Sequence, residues 1–426
     1  MINTTTITNQ LENGTYDELL LEIYADKEII FYQKARYQKA IQSYVNYFGE
    51  SEAEIYSAPG RSEIGGNHTD HQQGEVLAAS INNDAIAIVT PLEESTVKIV
   101  SDGYDMITLS LDDLAMKEEE KESTLALTKG VLAEIKRRGY QLGGFQAYIT
   151  SDVLIGAGLS SSAAYETLLG TIISGLYNDM KISSMEIAMI GQYAENVYFG
   201  KPCGLMDQMA CSVGNLVHID FAKPDEPKVE KVDFDFNMAG YSLCITDTKG
   251  SHADLTADYA AVPAEMKAVA EFFGKNVLRE VNREQLLDQI MQVRAVAGDR
   301  AVLRAIHFLC ENERVQKEVE TLKQGNVNEF FALVKASGDS SFKYLQNVYS
   351  DRDVQHQNVS IALALSDMFL GENGVSRVHG GGFAGTIQAF VKNEIVAEYQ
   401  KKMDNVFGKG ACSVLKIRKY GGIKVF

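Results

Sequence analysis

The sequence is short of positive charge, of paired cysteines and of long apolar runs, and each shortage excludes a class of protein. Forty Lys and Arg stand against 58 Asp and Glu, so the 426-residue chain has a formal charge of −18 and a field that repels nucleic acids and anionic membranes. Five cysteines without a C-x-x-C pair argue against a disulfide framework or a zinc cluster. No segment approaches the roughly 20 apolar residues of a membrane span, and the amino terminus lacks the pattern of a secretion signal. We therefore expect a cytoplasmic protein without nucleic-acid or membrane partners.

The patterns that are present predict an α+β protein with two closely packed lobes and a cleft between them. Helical spacing from residue 16 to about residue 48 predicts one or two exposed amphipathic helices. Ser183 and Glu186 form a predicted capping box at the start of a later helix. Two of the six prolines lie in the charged stretch 222–231, which we take as the domain boundary. The β-type runs lie at 84–90, 96–101, 106–110 and 146–151, and helical patterns follow at 160–178 and 184–198.

A Gly- and Ser-rich segment, residues 156–162, lies between a predicted strand and a predicted helix. Its small residues allow backbone N–H groups to approach an anion, and the helix amino terminus adds a favourable dipole, so a nucleotide phosphate could bind there. The alternative is a loop whose glycines turn the chain and whose serines cap the helix. No G-x-x-x-x-G-K-[ST] string occurs, which excludes a P-loop ATPase.

Two further groups of residues suggest ligand chemistry. Arg61, His68 and Asp70 lie within ten residues, beside Pro and Gly, and suit either a loop that grips a polyhydroxylated ligand or a solvated loop. Asp207 is a lone carboxylate among apolar residues, which is typical of a first-turn helix acid or of a buried base. The glycine run at 380–385 formally matches G-x-G-x-x-G, but a strand pattern follows it, so we interpret it as a turn that packs against another loop.

Three segments in the same order resemble one family. APGRSEIGGNHTDH (58–71) is similar to the sugar-binding signature of galactokinases, GAGLSSSAA (156–164) to the phosphate loop of the GHMP kinase superfamily, and HGGGFAG (379–385) to that superfamily's third motif. AENVYFGKPCGLMDQ (194–208) and the pairing of His252 with Tyr259 are also similar to galactokinases. The likeness runs from about residue 48 to the carboxyl end, so only the first forty-odd residues lie outside it.

The resemblance implies a two-lobed GHMP kinase fold, with the active site in the cleft between mixed α/β domains. The amino-terminal domain would span 1–221 and receive a returning strand from 412–426, and the carboxyl-terminal domain would span 222–411. The implied activity is phosphorylation of the C1 hydroxyl of galactose, with ATP and Mg²⁺ as cofactors and the sugar and ATP as small-molecule partners. The sequence is compatible with a monomer and does not determine the oligomeric state.

The resemblance also implies roles for individual residues. By position it makes Asp207 the catalytic base and Arg61 its cationic partner, and it assigns Mg²⁺ to Ser162 and Glu195. The implied phosphate-binding residues are Gly156, Ala157, Gly158, Leu159, Ser160, Ser161 and Ser162. The implied sugar-contacting residues are Asn67, His68, Asp70, Gly204 and Tyr259. These roles suit phosphoryl transfer, which requires alignment, charge neutralisation and acceptance of one proton.

Two departures from the galactokinase pattern concern the substrate. Asn67 stands where galactokinases usually have the Glu that accepts a hydrogen bond from the C6 hydroxyl, and His71 stands where they usually have Tyr. An amide can still accept that bond, but the lost charge and the possible extra cation at His71 make galacturonate an alternative substrate. Plant galacturonokinases are similar in lacking the Glu and in having an Asp-His-Gln run like residues 70–72. Neither loop offers an Arg beyond Arg61 to pair with a uronate, which favours galactose. A catalytically weak galactose sensor is a third alternative, although Asp207 and the serine run are intact.

Overall fold

The computed structural model describes residues 1–153, 158–250 and 255–426. The strands are β1 (Ile2–Asn3), β2 (Glu52–Gly65), β3 (Glu75–Leu92), β4 (Thr96–Ser101), β5 (Ile107–Ser110), β6 (Gly144–Ser151), β7 (Leu216–Asp220), β8 (Lys228–Val232), β9 (Tyr241–Asp247), β10 (Gly374–His379), β11 (Thr386–Lys392), β12 (Cys412–Leu415) and β13 (Ile423–Lys424). The helices are α1 (Thr4–Glu12), α2 (Asp17–Tyr24), α3 (Ile30–Phe48), α4 (Thr124–Arg137), α5 (Ser161–Asn178), α6 (Ser184–Tyr193), α7 (Met206–Val213), α8 (Thr256–Phe272), α9 (Arg283–Asp288), α10 (Ile290–Ala297), α11 (Asp299–Lys323), α12 (Val327–Ser340), α13 (Asn358–Leu370) and α14 (Val396–Phe407). Turns of π-helix, Ala194–Phe199 and Ser341–Leu345, continue α6 and α12.

A large sheet forms the first half of the molecule, in the order β1-β2-β3-β6-β4-β5. Its neighbours are antiparallel except β4 and β6, which run parallel. Strand β3 is long enough to pair with β6 near its end and with β7 near its start. The predicted strands at 84–90, 96–101, 106–110 and 146–151 all lie in this sheet, but β3 begins at Glu75, well before the predicted residue 84.

Both faces of the large sheet are covered by helices. Residues of β2 and β3 alternate between the faces, as the period of two in a strand requires. Helices α4 to α6 cover one face, burying apolar side chains such as Leu168 and Ile172. Helices α1 to α3 cover the other, where Tyr24, Tyr37 and Tyr44 are fully buried. The predicted amphipathic helices between residues 16 and 48 are present as α2 and α3, but they are exposed on one face only, because their buried aromatic residues pack against the sheet.

A smaller antiparallel sheet, in the order β10-β11-β9-β12, forms the second half. One of its faces shares a hydrophobic core with the large sheet, where Leu243 and Phe390 meet Ile64 and Leu77 beneath α11 and α12. Helices α13 and α14 cover the other face. The α+β mixture predicted from the sequence is confirmed, and the two sheets are joined through one continuous core.

In the structure, strand pairing crosses the domain limits expected from the sequence. Strand β8 pairs with β7 in the large sheet, so that sheet extends to Val232, beyond the predicted boundary at 221. The proline-rich stretch forms the connection of this hairpin instead of a linker between domains. The segment 412–426 also divides: Cys412–Leu415 pairs with β9 in the smaller sheet, and only Ile423–Lys424 pairs with β2. By strand pairing, we propose a boundary after Val232 and a return of the chain that begins after Leu415.

Within the described residues, the helices are all too short or too polar to cross a lipid bilayer.

Candidate active site

Asp207 and Arg61 form an ion pair at the centre of the candidate site. Arg61 Nε donates to Asp207 Oδ1 at 2.7 Å and Nη2 donates to Oδ2 at 2.8 Å, a bidentate arrangement. Asp207 lies in the first turn of α7. Arg61 lies within β2, next to a register shift in its pairing with β3, so the prediction that Arg61 belongs to a loop is wrong. The shift interrupts the regular pairing at this residue, as β-bulges near active sites often do.

The two side chains of this ion pair differ in their exposure to solvent. The Arg61 side chain is 8% exposed, whereas the Asp207 side chain is 31% exposed. Burial alone would raise the pKa of Asp207, but the charge of Arg61 and hydrogen bonds from Arg61 and Ser160 outweigh it, and the pKa lies below its ordinary value. Asp207 is therefore an ionised, approachable carboxylate whose counter-ion is fixed behind it.

The end of the predicted phosphate loop, residues 156–162, contacts this ion pair. Ser160 has a left-handed backbone, with φ of 62°, and its hydroxyl donates to Asp207 Oδ2. Arg61 Nη1 donates to the carbonyl of Gly158, and the Arg61 N–H donates to the carbonyl of Leu159 at 3.1 Å. Helix α5 begins at Ser161, one residue after the predicted start. The predicted phosphate-binding residues Gly156 and Ala157 lie outside the described residues.

Ser162 and Glu195, the predicted magnesium ligands, are in contact. Ser162 Oγ donates to Glu195 Oε1 at 3.3 Å, and Lys201 Nζ lies 3.5 Å from the same oxygen. Glu195 is 4% exposed and lies in the π-helical turn that follows α6, an irregularity frequent at functional sites. The capping box of Ser183 and Glu186 that starts α6 is present as predicted.

Two residues that the sequence reasoning did not identify lie behind Glu195. Gln208 Nε2 donates to Glu195 Oε2 at 2.8 Å and to Glu166 Oε2 at 3.1 Å. Gln208 is fully buried and Glu166 is 1% exposed. Burial raises the pKa of Glu166 well above its ordinary value, and the neighbouring charge of Glu195 adds to the shift. A usable signal was the spacing of Ser162 and Glu166, because residues four apart share one face of a helix.

The glycine-rich segment of residues 380–385, the glycine turn, packs against the sugar-binding signature as predicted. Three successive carbonyls of this turn accept hydrogen bonds from predicted sugar-contacting residues. Asn67 Nδ2 donates to the Gly380 carbonyl at 2.7 Å, His68 Nε2 to that of Gly381 at 3.0 Å, and the Tyr259 hydroxyl to that of Gly382 at 2.8 Å. Burial lowers the pKa of His68 to about 4, so the ring is neutral and Nε2 carries the proton.

Asn67 is the hub of this contact and has no hydrogen-bonding capacity left for a ligand. It is fully buried. Nδ2 donates to Glu63 Oε1 at 3.0 Å as well as to the glycine turn, and Oδ1 accepts from Asn347 Nδ2 at 2.8 Å and from Ser341 Oγ at 3.2 Å. In the structure, protein groups engage both donors and the acceptor of this amide, and its expected contact with the C6 hydroxyl of a sugar stays a prediction.

An acid does lie near position 67, in the form of Glu63. Its carboxylate accepts from Asn67 and forms an ion pair with Arg377, which is fully buried. Burial raises the pKa of Glu63 against the opposing effect of Arg377. The sugar signature of this chain therefore contains a carboxylate, but it lies four residues before Asn67, and an arginine from β10 neutralises its charge.

Asp70 and Gly204, also predicted to contact the sugar, lie against each other. The Asp70 side chain is 13% exposed. A Cβ atom placed on Gly204 would lie 1.9 Å from Asp70 Oδ2, so only glycine allows the carboxylate to occupy this position. His71 is more exposed, at 37%, and its Nε2 lies 3.8 Å from Asp70 Oδ1. Gly204 lies three residues before Asp207, which places this contact beside the ion pair with Arg61.

Comparison with known proteins agrees with this geometry. Residues 42–91 match the galactokinase galactose-binding signature, and residues 126–215 match the GHMP kinases N terminal domain. The chain is 31% identical to a galactokinase from Actinobacillus pleuropneumoniae over 369 residues, which covers 85% of this chain and 92% of that protein. It belongs to the galactokinase family.

Solved structures support the fold of the family. The structure of Lactococcus lactis galactokinase complexed with galactose superimposes with a TM-score of 0.77 at 24% identity, covering 90% of this chain and 98% of that one. The Methanococcus jannaschii mevalonate kinase superimposes with a TM-score of 0.61 at 14% identity, covering 86% and 99%. The predicted GHMP kinase fold and the predicted family are confirmed, and the chain is a kinase of this family.

Proposed function

We propose that this kinase transfers the γ-phosphoryl group of ATP to the C1 hydroxyl of galactose. The observation that carries the proposal is the ionised Asp207 carboxylate, fixed by Arg61 and touched by Ser160 at the end of the phosphate loop. A proton acceptor is thereby held beside a segment suited to phosphate. Both substrates are small cytoplasmic molecules, so we also place the protein in the cytoplasm.

The ion pair suits the chemistry of phosphoryl transfer. The lowered pKa of Asp207 keeps the carboxylate charged at neutral pH, ready to accept the proton of the sugar hydroxyl. Arg61 is buried behind it, so its charge orients the carboxylate and contributes a positive field where phosphate charge develops. Since the transferred group needs little covalent assistance, alignment of these two side chains supplies most of what the protein must provide.

The residues present fit a magnesium ion bound with nucleotide phosphates. Mg²⁺ prefers oxygen ligands and usually takes only one or two from protein, and Ser162 Oγ and Glu195 Oε1 lie 3.3 Å apart. Lys201 places an ammonium group 3.5 Å from the same Glu195 oxygen, as expected where the protein favours a cation. Within the described residues, groups of three or more His, Cys, Asp or Glu suited to a metal are absent, which fits a metal shared with ATP. When bound, Mg²⁺ neutralises charge on the phosphate oxygens.

Galactose fits the site better than galacturonate. The case for a uronate depended on the missing acid at Asn67 and on a possible extra cation at His71. The Asn67 amide is engaged by protein groups, and the Glu63 carboxylate lies 3.0 Å from it, which weakens the case from position 67. His71 Nε2 lies 3.8 Å from Asp70 Oδ1, so an acid of the protein already faces this ring. Asp70 and Gly204, which keep the pattern of the family, are the better candidates for contact with the sugar.

The proposal is tested by measuring ADP release with galactose, galacturonate, glucose and N-acetylgalactosamine, and comparing kcat/KM. Galactose should have the highest value. A preference for galacturonate of tenfold or more would overturn the assignment of the substrate. Absence of ATP consumption with every hexose would instead favour the sensor.

A further inference from the structure

We propose that Gln208 is a positioning residue that fixes the magnesium ligand Glu195, anchored in turn by Glu166. This inference rests on the proposed function, because it takes Ser162 and Glu195 as the protein ligands of the nucleotide-bound metal. It adds two residues that the sequence did not point to.

The first observation is that a single amide nitrogen joins two buried carboxylates. Gln208 Nε2 lies 2.8 Å from Glu195 Oε2 and 3.1 Å from Glu166 Oε2. An NH₂ group has two donors, so both are used, one for each acid. The opposite orientation of the amide would direct its oxygen at the Glu195 carboxylate, which electrostatics disfavours. Glu195 thus favours the orientation in which Gln208 donates to both acids.

The second observation concerns the two oxygens of Glu195. Oε2 is held by Gln208, whereas Oε1 faces Ser162 Oγ and Lys201 Nζ. Lys201 is 65% exposed, so its ammonium group can move away when another cation binds. Because Gln208 engages Oε2, Glu195 directs its other oxygen, Oε1, toward Ser162 and Lys201. Partners that orient a metal ligand in this way commonly change metal affinity by about 10- to 100-fold when they are removed.

The third observation is that the packing leaves room for this bridge. A Cβ atom on Gly191, in α6, would lie 2.9 Å from Glu166 Oε2 and 3.1 Å from Gln208 Cγ, so glycine is what allows the amide and the acid to meet there. Glu166 extends from α5, which follows the phosphate loop, and Gln208 follows Asp207 in α7. The bridge therefore ties the metal ligand to the two helices that carry the phosphate loop and the base.

The test measures metal binding separately from turnover. Mn²⁺ is titrated by electron paramagnetic resonance into the full-length enzyme with a non-hydrolysable ATP analogue, and the Mg²⁺ concentration for half-maximal rate is measured in parallel. Gln208→Met, which keeps the length of the side chain but removes the amide, should weaken Mn²⁺ binding and raise the Mg²⁺ requirement by about tenfold or more, with little change in the KM for galactose. The matched control is Gln316→Met, because Gln316 donates to Glu75 Oε1 at 2.7 Å in the same way but lies outside the site.

A second pair of variants approaches the bridge from Glu166. Glu166→Gln keeps an acceptor for the Gln208 amide and should retain most of the metal affinity, whereas Glu166→Met should lose it to the same degree as Gln208→Met. The two Glu166 variants can still refute the inference if Gln208→Met does not fold. Wild-type Mn²⁺ affinity in Gln208→Met, or equal losses in both Glu166 variants, would overturn the inference.

The variant Glu195→Gln distinguishes a failure of the positioning role of Gln208 from a failure of the metal assignment. If Glu195→Gln weakens Mn²⁺ binding while Gln208→Met does not, the positioning role fails and the metal site stands. If Glu195→Gln leaves Mn²⁺ binding unchanged, the metal assignment itself is wrong.

Discussion

The substitution Asn67→Glu tests how much a second buried charge beside Glu63 destabilises the fold. Restoring the acid that galactokinases usually carry would place a second carboxylate beside Glu63, whose Oε1 lies 3.0 Å from Asn67 Nδ2. It would also remove the donor to the Gly380 carbonyl. Two unit charges at that distance repel by roughly 5 kcal/mol at an effective dielectric of 20. Arg377 offsets part of this repulsion, and protonation of one acid relieves more, so we expect a loss of about 2 to 4 kcal/mol in the free energy of unfolding.

Thermal unfolding at two pH values measures this effect. Because the entropy of unfolding grows with chain length, a loss of that size in a chain of 426 residues corresponds to a fall in Tm of about 2 to 5 °C. The crowded acid has a raised pKa in the folded variant, as burial already raises the pKa of Glu63. The charge-dependent part of the destabilisation should therefore be absent well below the ordinary Glu pKa and should grow as the pH rises above it. The difference between Asn67→Glu and wild type should be larger at pH 8 than at pH 5.5.

Two controls separate charge from shape. Asn67→Gln has nearly the same size as Asn67→Glu without the charge, so the two should share any loss due to the longer side chain. The double variant with Glu63→Gln leaves one carboxylate in the contact and should recover much of the stability lost by Asn67→Glu. Equal melting temperatures for Asn67→Glu and Asn67→Gln at pH 8 would refute the reasoning and return Asn67 to a place facing the ligand.

Three other substitutions test the site. Asp207→Asn should keep the affinity for an ATP analogue and lower kcat by about 100-fold or more, since the hydroxyl proton loses its acceptor; a wild-type rate would exclude Asp207 as the base. Glu195→Gln should raise the Mg²⁺ concentration for half-maximal rate by about tenfold, and an unchanged requirement would remove Glu195 from the metal site. Gly204→Ala places a Cβ atom 1.9 Å from Asp70 Oδ2, so the KM for galactose should rise by about tenfold while the KM for ATP changes little; the opposite pattern would separate this contact from the sugar.

Local patterns predicted the parts of the fold that depend on local chemistry. Hydrophobic periodicity gave β4, β5 and the start of α5 within one residue, but it placed the start of β3 nine residues late and did not predict β2. The capping box at Ser183 could be recognised because its two partners are three residues apart. Strand β8 and the pairing of Cys412–Leu415 with β9 were not predicted, because strand pairing depends on residues far away in the chain. The proline-rich stretch has the same composition whether it turns a hairpin or links domains.

The site shows the same division between local and distant information. Motif likeness identified Asp207, Arg61, Ser162 and Glu195, and the structure brings each pair together. It did not predict the protein partners of the Asn67 amide, because they lie up to 313 residues away in the chain. A comparison of one position with a family pattern takes no account of the residues that contact it. Here the residues that contact Asn67 determine which hydrogen bonds its amide forms.

The glycine turn brings residues from both halves of the chain into contact, including three that we predict to contact the sugar. Its successive carbonyls, from Gly380 to Gly382, each accept a bond from a different side chain, two from the loop after β2 and one from α8. Backbone carbonyls do not depend on the type of side chain, so the turn presents the same row of acceptors to whichever donors face it. The buried Glu63 and Arg377 pair lies behind this row and adds little net stability, since buried ion pairs lose much of their attraction to desolvation. What it adds is orientation, because it determines which way the Asn67 amide points and thereby the position of the loop that carries His68 and Asp70.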